Sequence, residues 1–206
     1  MQKPKAVLFD WDGTIVDTRN AILSAINKTL KDFGKPPIKS YPVSGKTLEL
    51  FSELFGPDDK KALVALRFNL KSEKTEDLKL FPYIKEALKS LKKHQIFTAV
   101  VSNKFCDLLK QEVKATGLDL YFNRVVGSGD TKEDKPSPLP LFYSLSNTGI
   151  SPNRSDVVFI GDSIVDMQCA KNAGVNGFIY GGNVLEGFDD NTRITNYKNL
   201  PPTLCV

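Results

Sequence analysis

Short apolar runs recur along the chain, and each ends in Gly, Asp, Ser or Asn. They are AVLF (6–9), FTAVVSN (97–103), RVVGSGD (124–130), DVVFIGD (156–162) and GFIYGG (177–182). Unbroken apolar runs of this length predict strands covered on both faces, as in a parallel sheet. Between them the period becomes helical. YIKEALKSLKK (83–93) places Ile84, Leu88 and Leu91 on one stripe. CDLLKQEVKATG (106–117) does the same with Leu108, Leu109 and Val113 and stops at Gly117. IVDMQCAKNAG (164–174) ends at Gly174, a residue suited to the left-handed turn that closes a helix. The alternation predicts an α/β fold, a doubly wound, Rossmann-like parallel sheet.

One interval breaks the alternation. Between Asp17 and Leu80 no strand pattern is found. TRNAILSAINKTLKDFG (18–34) carries Ile22, Ile26, Leu30 and Phe33 on one helical face. KTLELFSELFG (46–56) carries Leu48, Phe51 and Phe55, and DDKKALVALRFNL (58–70) carries Leu63, Leu66 and Leu70 behind Asp58 as N-cap. The reading is a core of residues 1–16 and 81–206, with a small all-helical subdomain, 17–80, inserted after the first strand. The crossings near 15–18 and 79–82 are the expected hinges.

Composition adds limits. The chain has 206 residues, 41% hydrophobic and 25% charged, an ordinary globular balance. The formal net charge of +4 comes without a Lys/Arg run interleaved with aromatics, so nucleic acid is not an expected partner. No segment reads as a signal peptide or membrane span. Cys106, Cys169 and Cys205 are scattered and odd in number, which favours a reducing compartment over a disulfide framework. The expectation is a soluble cytoplasmic protein, a monomer or homodimer.

The polar residues that carry chemistry collect where the predicted strands end. Asp10 and Asp12 follow the first, Ser102 and Asn103 the second, Lys135 comes shortly after the third, and Asp162 and Asp166 follow the fourth. In an open α/β sheet that edge binds ligands. Side chains alternate along an extended chain, so Asp10 and Asp12 project to one side and Trp11 to the other. Gly13 permits a sharp turn and Thr14 adds a hydroxyl. Asp162 and Asp166 are one helical turn apart. Four carboxylates aimed at one small volume repel unless a cation offsets the charge, and all-oxygen ligation suits Mg²⁺ better than Zn²⁺. A calcium loop counted from Asp10 fails, because Ile15 stands where glycine is required and a strand precedes it.

Taken together, DWDGT (10–14), the Ser of VVSN (100–103), the Lys of DKPSP (134–138) and GDSIVD (161–166) resemble the four motifs of the haloacid dehalogenase superfamily of phosphohydrolases. The likeness is to the phosphoglycolate-phosphatase-like branch and spans about residues 5–182, with the helical insert at that branch's cap position. The resemblance implies roles. Asp10 would attack phosphorus to form an aspartyl-phosphate. Asp12 would act as acid and then base, its backbone carbonyl ligating Mg²⁺. Ser102 would bond the phosphoryl group, and Lys135 would neutralise charge. Asn103, Gly13 and Thr14 would lie against substrate. Asp162 would ligate Mg²⁺ along with Asp10, and Asp166 would support the metal directly or through water. The implied substrate is a small phosphorylated metabolite, phosphoglycolate first among them.

Other readings stay open at this point. A phosphomutase would need insert contacts that rebind an intermediate. A phosphonoacetaldehyde hydrolase would need a Schiff-base lysine, for which Lys46 in VSGKTLEL (43–50) is the candidate; Lys46 equally suits a substrate carboxylate. Arg67 could serve that tail too, although a helix surface is the plainer place for it. A catalytically silent binding protein on the same scaffold is the reading from another class. His94 falls at the far end of the sheet, Trp11 is expected to pack inward, and the tail after residue 183 reads as a loop without assigned function.

Overall fold

The computed structural model describes residues 3–40, 47–56, 59–72, 78–181 and 192–200, with side chains excluded at 47–49 and 199. Lys46, Asp58 and Cys205 lie outside the described residues.

The core is a six-stranded sheet. Its strands are β1 (Ala6–Phe9), β4 (Phe97–Phe105), β5 (Arg124–Ser128), β6 (Val157–Gly161), β7 (Asn176–Tyr180) and β8 (Arg193–Ile194). They lie in the order β5-β4-β1-β6-β7-β8, every pair parallel. The order reverses direction beside β1, and such a switch point opens a crevice at the strands' carboxyl ends. β1 is buried throughout, flanked by β4 and β6.

Alternation along the strands sorts the core into two layers. Val7 and Phe9 face α4 (Ile84–Lys93) and α5 (Cys106–Ala115), through Ile84, Leu88, Leu91, Leu109 and Val113. Ala6 and Leu8 face α6 (Leu139–Leu145) and α7 (Ile164–Ala173), through Leu141, Leu145, Cys169 and Ala170. Helices on both faces explain why these strands are continuous apolar runs.

The inserted helices α1 (Arg19–Asp32), α2 (Thr47–Phe55) and α3 (Lys60–Ser72) bury a separate cluster of Ile22, Ala25, Ile26, Leu30, Phe51, Ala62 and Leu66. Phe33, expected on that face, is 37% exposed at the end of α1. Asp59 caps α3 through its carboxylate, which accepts the Ala62 N–H at 3.0 Å. At the two crossings Val16–Asp17 (β2) and Lys79–Leu80 (β3) pair antiparallel, a two-strand tie between sheet and insert.

The tail departs from expectation. β8 extends the sheet, and a 3₁₀ turn at Tyr197–Asn199 returns the chain under the core. Tyr197 is 2% exposed and stacks on Tyr180 at 4.5 Å between ring centroids. Only two residues form β8, too few for a period to show. No helix among the described residues is long and apolar enough to cross a membrane.

Candidate active site

The carboxyl end of β1 delivers Asp10, still in register: its N–H donates to the Ile160 carbonyl at 2.8 Å. The chain then turns at Trp11–Val16. Gly13 adopts φ +79°, and a Cβ there would stand 2.1 Å from Asp162 Oδ2. Glycine is required twice, for the left-handed backbone and for the space. Gly13 therefore packs closely against Asp162.

Asp162 ends β6 and precedes α7. Ser163 is the N-cap of α7, and Asp166 closes a capping box with it: Ser163 Oγ accepts from the Asp166 N–H, and Asp166 Oδ2 accepts from the Ser163 N–H at 3.1 Å. The same carboxylate accepts Lys135 Nζ on Oδ1 at 2.6 Å. Lys135 Nζ also donates to Asp10 Oδ1 at 2.7 Å and to the Val101 carbonyl at 3.0 Å. All three donors of the ammonium are used, and its side chain is 4% exposed. Burial works against its charge, but Asp10 and Asp166 outweigh burial and hold the pKa above the usual lysine range.

One ammonium cannot neutralise this many acids. Asp10, Asp162 and Asp166 each bring an oxygen to within 4.8 Å of the others. Burial, with the neighbouring carboxylates, pushes Asp10 up to about 7 despite Lys135. It pushes Asp162 up to about 9. A divalent cation between them would relieve that crowding, and the all-oxygen donor set fits a hard ion.

Asp12 turns elsewhere. Its Oδ1 accepts Lys104 Nζ at 2.7 Å, outside the three-carboxylate cluster. Lys104 Nζ also donates to Glu112 Oε2 at 2.8 Å, and the Trp11 indole N–H donates to that same oxygen at 2.7 Å. Neither Lys104 nor Glu112 was singled out in the sequence. A legible signal existed for Glu112, which shares the α5 stripe with Leu108, Leu109 and Val113; a charge on a buried stripe implies a partner.

Other expected residues are engaged with the protein itself. Asn103 Nδ2 donates to the Lys135 carbonyl at 2.8 Å, and Asn103 Oδ1 accepts the Lys135 N–H at 2.9 Å. This clamps the Lys135 backbone and takes both ends of the amide, so Asn103 orients Lys135. Thr14 is fully buried, and its carbonyl accepts the Tyr197 hydroxyl at 2.8 Å. The tail thus reaches the Trp11–Val16 turn. Ser102 is buried within β4, at the irregular stretch between Val101 and Phe105, where its Oγ accepts the Lys104 N–H at 3.3 Å. The Arg67 guanidinium pairs with Asp107 at 3.0 Å and lies over the Phe105 ring at 4.7 Å. Lys71 joins it on Asp107, tying α3 to the start of α5. His94 closes α4 at the opposite edge, its ring Nδ1 2.9 Å from the Ser90 carbonyl.

A family description, haloacid dehalogenase-like hydrolase, matches residues 7–179. The chain belongs to that family. Among HAD relatives, a phosphoglycolate phosphatase of Nitrosospira multiformis is 32% identical over 198 residues, spanning 90% of this chain and 86% of that protein. Pyrophosphatase PpaX of Bacillus velezensis is 29% identical over 205 residues, 95% and 94% of the two chains. The crystal structure of a HAD-superfamily hydrolase from Ehrlichia chaffeensis superposes with a TM-score of 0.71 at 33% identity, over 100% of this chain and 98% of that one. The protein is a HAD hydrolase of the phosphoglycolate-phosphatase-like kind, with the Rossmann-like sheet of that family.

Proposed function

We propose that this HAD hydrolase is a Mg²⁺-dependent phosphatase of small phosphate monoesters, working through an aspartyl-phosphate on Asp10. The observation that carries the reading is the Lys135 ammonium bridging Asp10 and Asp166 at 2.7 and 2.6 Å, with Asp162 on the same small volume. Asp10, Asp162 and the Asp12 carbonyl would hold the cation, with Asp166 supporting it. When bound, Mg²⁺ neutralises the carboxylates and the phosphoryl oxygens.

The residues divide the remaining work. Lys135 occupies one Asp10 oxygen and leaves the other for attack on phosphorus. As the new O–P bond forms, the bond to the leaving oxygen breaks and takes its electron pair with it. Asp12 supplies the proton to that oxygen and later accepts one from the water that hydrolyses the aspartyl-phosphate. Ser102 hydrogen-bonds the transferring group. Little else is demanded, because phosphoryl transfer depends on positioning and charge. Residues 17–80 act as the cap that excludes water and selects the leaving group. A cytoplasmic location goes with this reading; Cys106 and Cys169 are both free thiols.

Phosphoglycolate is the leading substrate, and inorganic pyrophosphate is the second reading, favoured by the likeness to PpaX. The test is phosphate release from a panel of small esters and pyrophosphate, with Mg²⁺ and with EDTA, for wild type and Asp10→Asn. Metal-dependent turnover that disappears in Asp10→Asn is expected, and the ranking identifies the substrate. No turnover on the whole panel overturns the phosphatase assignment.

A further inference from the structure

The phosphatase reading requires Asp12 to carry a proton while its neighbours bind a cation. Metal ligation needs the ionised form of a carboxylate, so an acid that ligated the metal through its side chain would lose its proton-carrying role. Something must keep the Asp12 side chain out of the cluster one residue away. The turn that begins at Trp11 carries Asp12 past the end of β1, but a backbone turn by itself does not fix where the carboxylate end of the side chain points.

A closed ring of contacts does. It runs from the Asp12 carboxylate to Lys104, from Lys104 to Glu112, and from Glu112 back to the indole of Trp11, the residue bonded to Asp12. Its three links are 2.7, 2.8 and 2.7 Å. Trp11 is fully buried, and the side chains of Lys104 and Glu112 are 6% and 8% exposed. The Asp12 side chain is 24% exposed, so the tether leaves it within reach of solvent. α5 anchors the ring, because Glu112 sits on the stripe packed against the sheet. Structural support alone does not require these groups: apolar residues of similar volume commonly fill such a place at equal or better stability.

We propose that Lys104, anchored by Glu112 and Trp11, is a positioning residue that holds the Asp12 carboxylate away from the metal cluster and toward the leaving oxygen. The inference rests on the phosphatase reading and adds to it a tether outside the four motifs. Lys104 acts through Asp12 and touches no reacting atom.

The experiment compares leaving groups. An alkyl phosphate needs its leaving oxygen protonated, whereas p-nitrophenyl phosphate releases a stable phenolate and needs little help. The variants are Lys104→Met/Glu112→Gln, which removes both buried charges together, and Glu112→Gln alone, which keeps every hydrogen-bonding partner. Thermal melts establish folding, and Asp12→Asn gives the pattern for loss of the acid. The double variant is expected to lower kcat/KM for alkyl phosphates roughly 10- to 100-fold, as small misplacements of catalytic groups do, with less than about threefold loss on p-nitrophenyl phosphate. Glu112→Gln shows the same selectivity to a smaller extent, and it is the deciding variant if the double one does not fold. Equal losses on both substrates, or none on either, overturn the proposal while wild-type turnover leaves the phosphatase reading standing. Absence of Mg²⁺-dependent turnover in the wild type overturns both.

Discussion

Gly13→Ala tests the geometry of the site most directly, because two separate penalties meet at one atom. The backbone there has φ +79°, where an L side chain costs about 1–2 kcal/mol. The added methyl would also stand 2.1 Å from Asp162 Oδ2 and 2.7 Å from its Cγ. A carboxylate end can swing aside, so the steric cost falls at the low end of over-packing, about 1 kcal/mol. The sum is about 2–3 kcal/mol, or roughly 4–12 °C in Tm for a chain of this size. The displaced group is a proposed metal ligand, so cation affinity should fall as well. Gly174→Ala is the control. It has φ +69° with no other group within 4 Å of a Cβ, and should cost the backbone term of about 1–2 kcal/mol alone. Both variants and wild type would be melted with EDTA and with saturating Mg²⁺. At a hundredfold excess over Kd, wild type and Gly174→Ala should gain about 2.7 kcal/mol. Gly13→Ala should lose most of that gain. If it keeps the full Mg²⁺-linked shift, the argument that Gly13 makes room for a metal-binding Asp162 is refuted.

Three other outcomes are expected. In EDTA the protein should lose stability as pH rises, since Asp10 and Asp162 titrate near 7 and 9 in the folded chain against ~4 unfolded; the folded state holds those protons more tightly, and their contribution is complete below ~4 and lost on passing 7 to 9. Melts from about pH 5 to 9 check this, and the added stability from Mg²⁺ should grow with pH over the same window. Tyr197→Phe removes the hydroxyl donated to the Thr14 carbonyl and should destabilise by about 1 kcal/mol; denaturant titration reads it. Asp107→Asn removes the charge facing Arg67 and Lys71, all three substantially exposed, so stability should change by less than about 1 kcal/mol. The same variant should raise the rate at which a protease cleaves between insert and core, because Asp107 ties α3 to α5.

Much of this is legible in the sequence. Five of the six sheet strands follow apolar runs, because a strand covered on both faces must be apolar throughout and must turn polar where it leaves the core. The same rule marked Asp10 and Asp162, which stand just beyond such ends; it also marked Ser102, although β4 runs on past it to Phe105. Gly13 was legible as a turn, yet its reason for being glycine is Asp162, far along the chain. Nothing local to Asn103 marks its two hydrogen bonds to the Lys135 backbone, 32 positions away. Arg67 reads as a helix-surface charge, and it is half-exposed and paired with Asp107.

The sequence by itself determined the strand–helix alternation, the helical insert and the set of polar residues on one sheet edge, since each of these is written in local period or in the order of strand ends. Tertiary structure alone decided how those residues divide. Lys135 went to Asp10 and Asp166, while Lys104 took Asp12. Lys104 and Asp12 are 92 positions apart, and Tyr197 and Thr14 are 183 apart. A local period specifies which face of an element is buried, but not which distant charge meets it there. That choice is made by strand order and by the cost of leaving a buried charge unpaired.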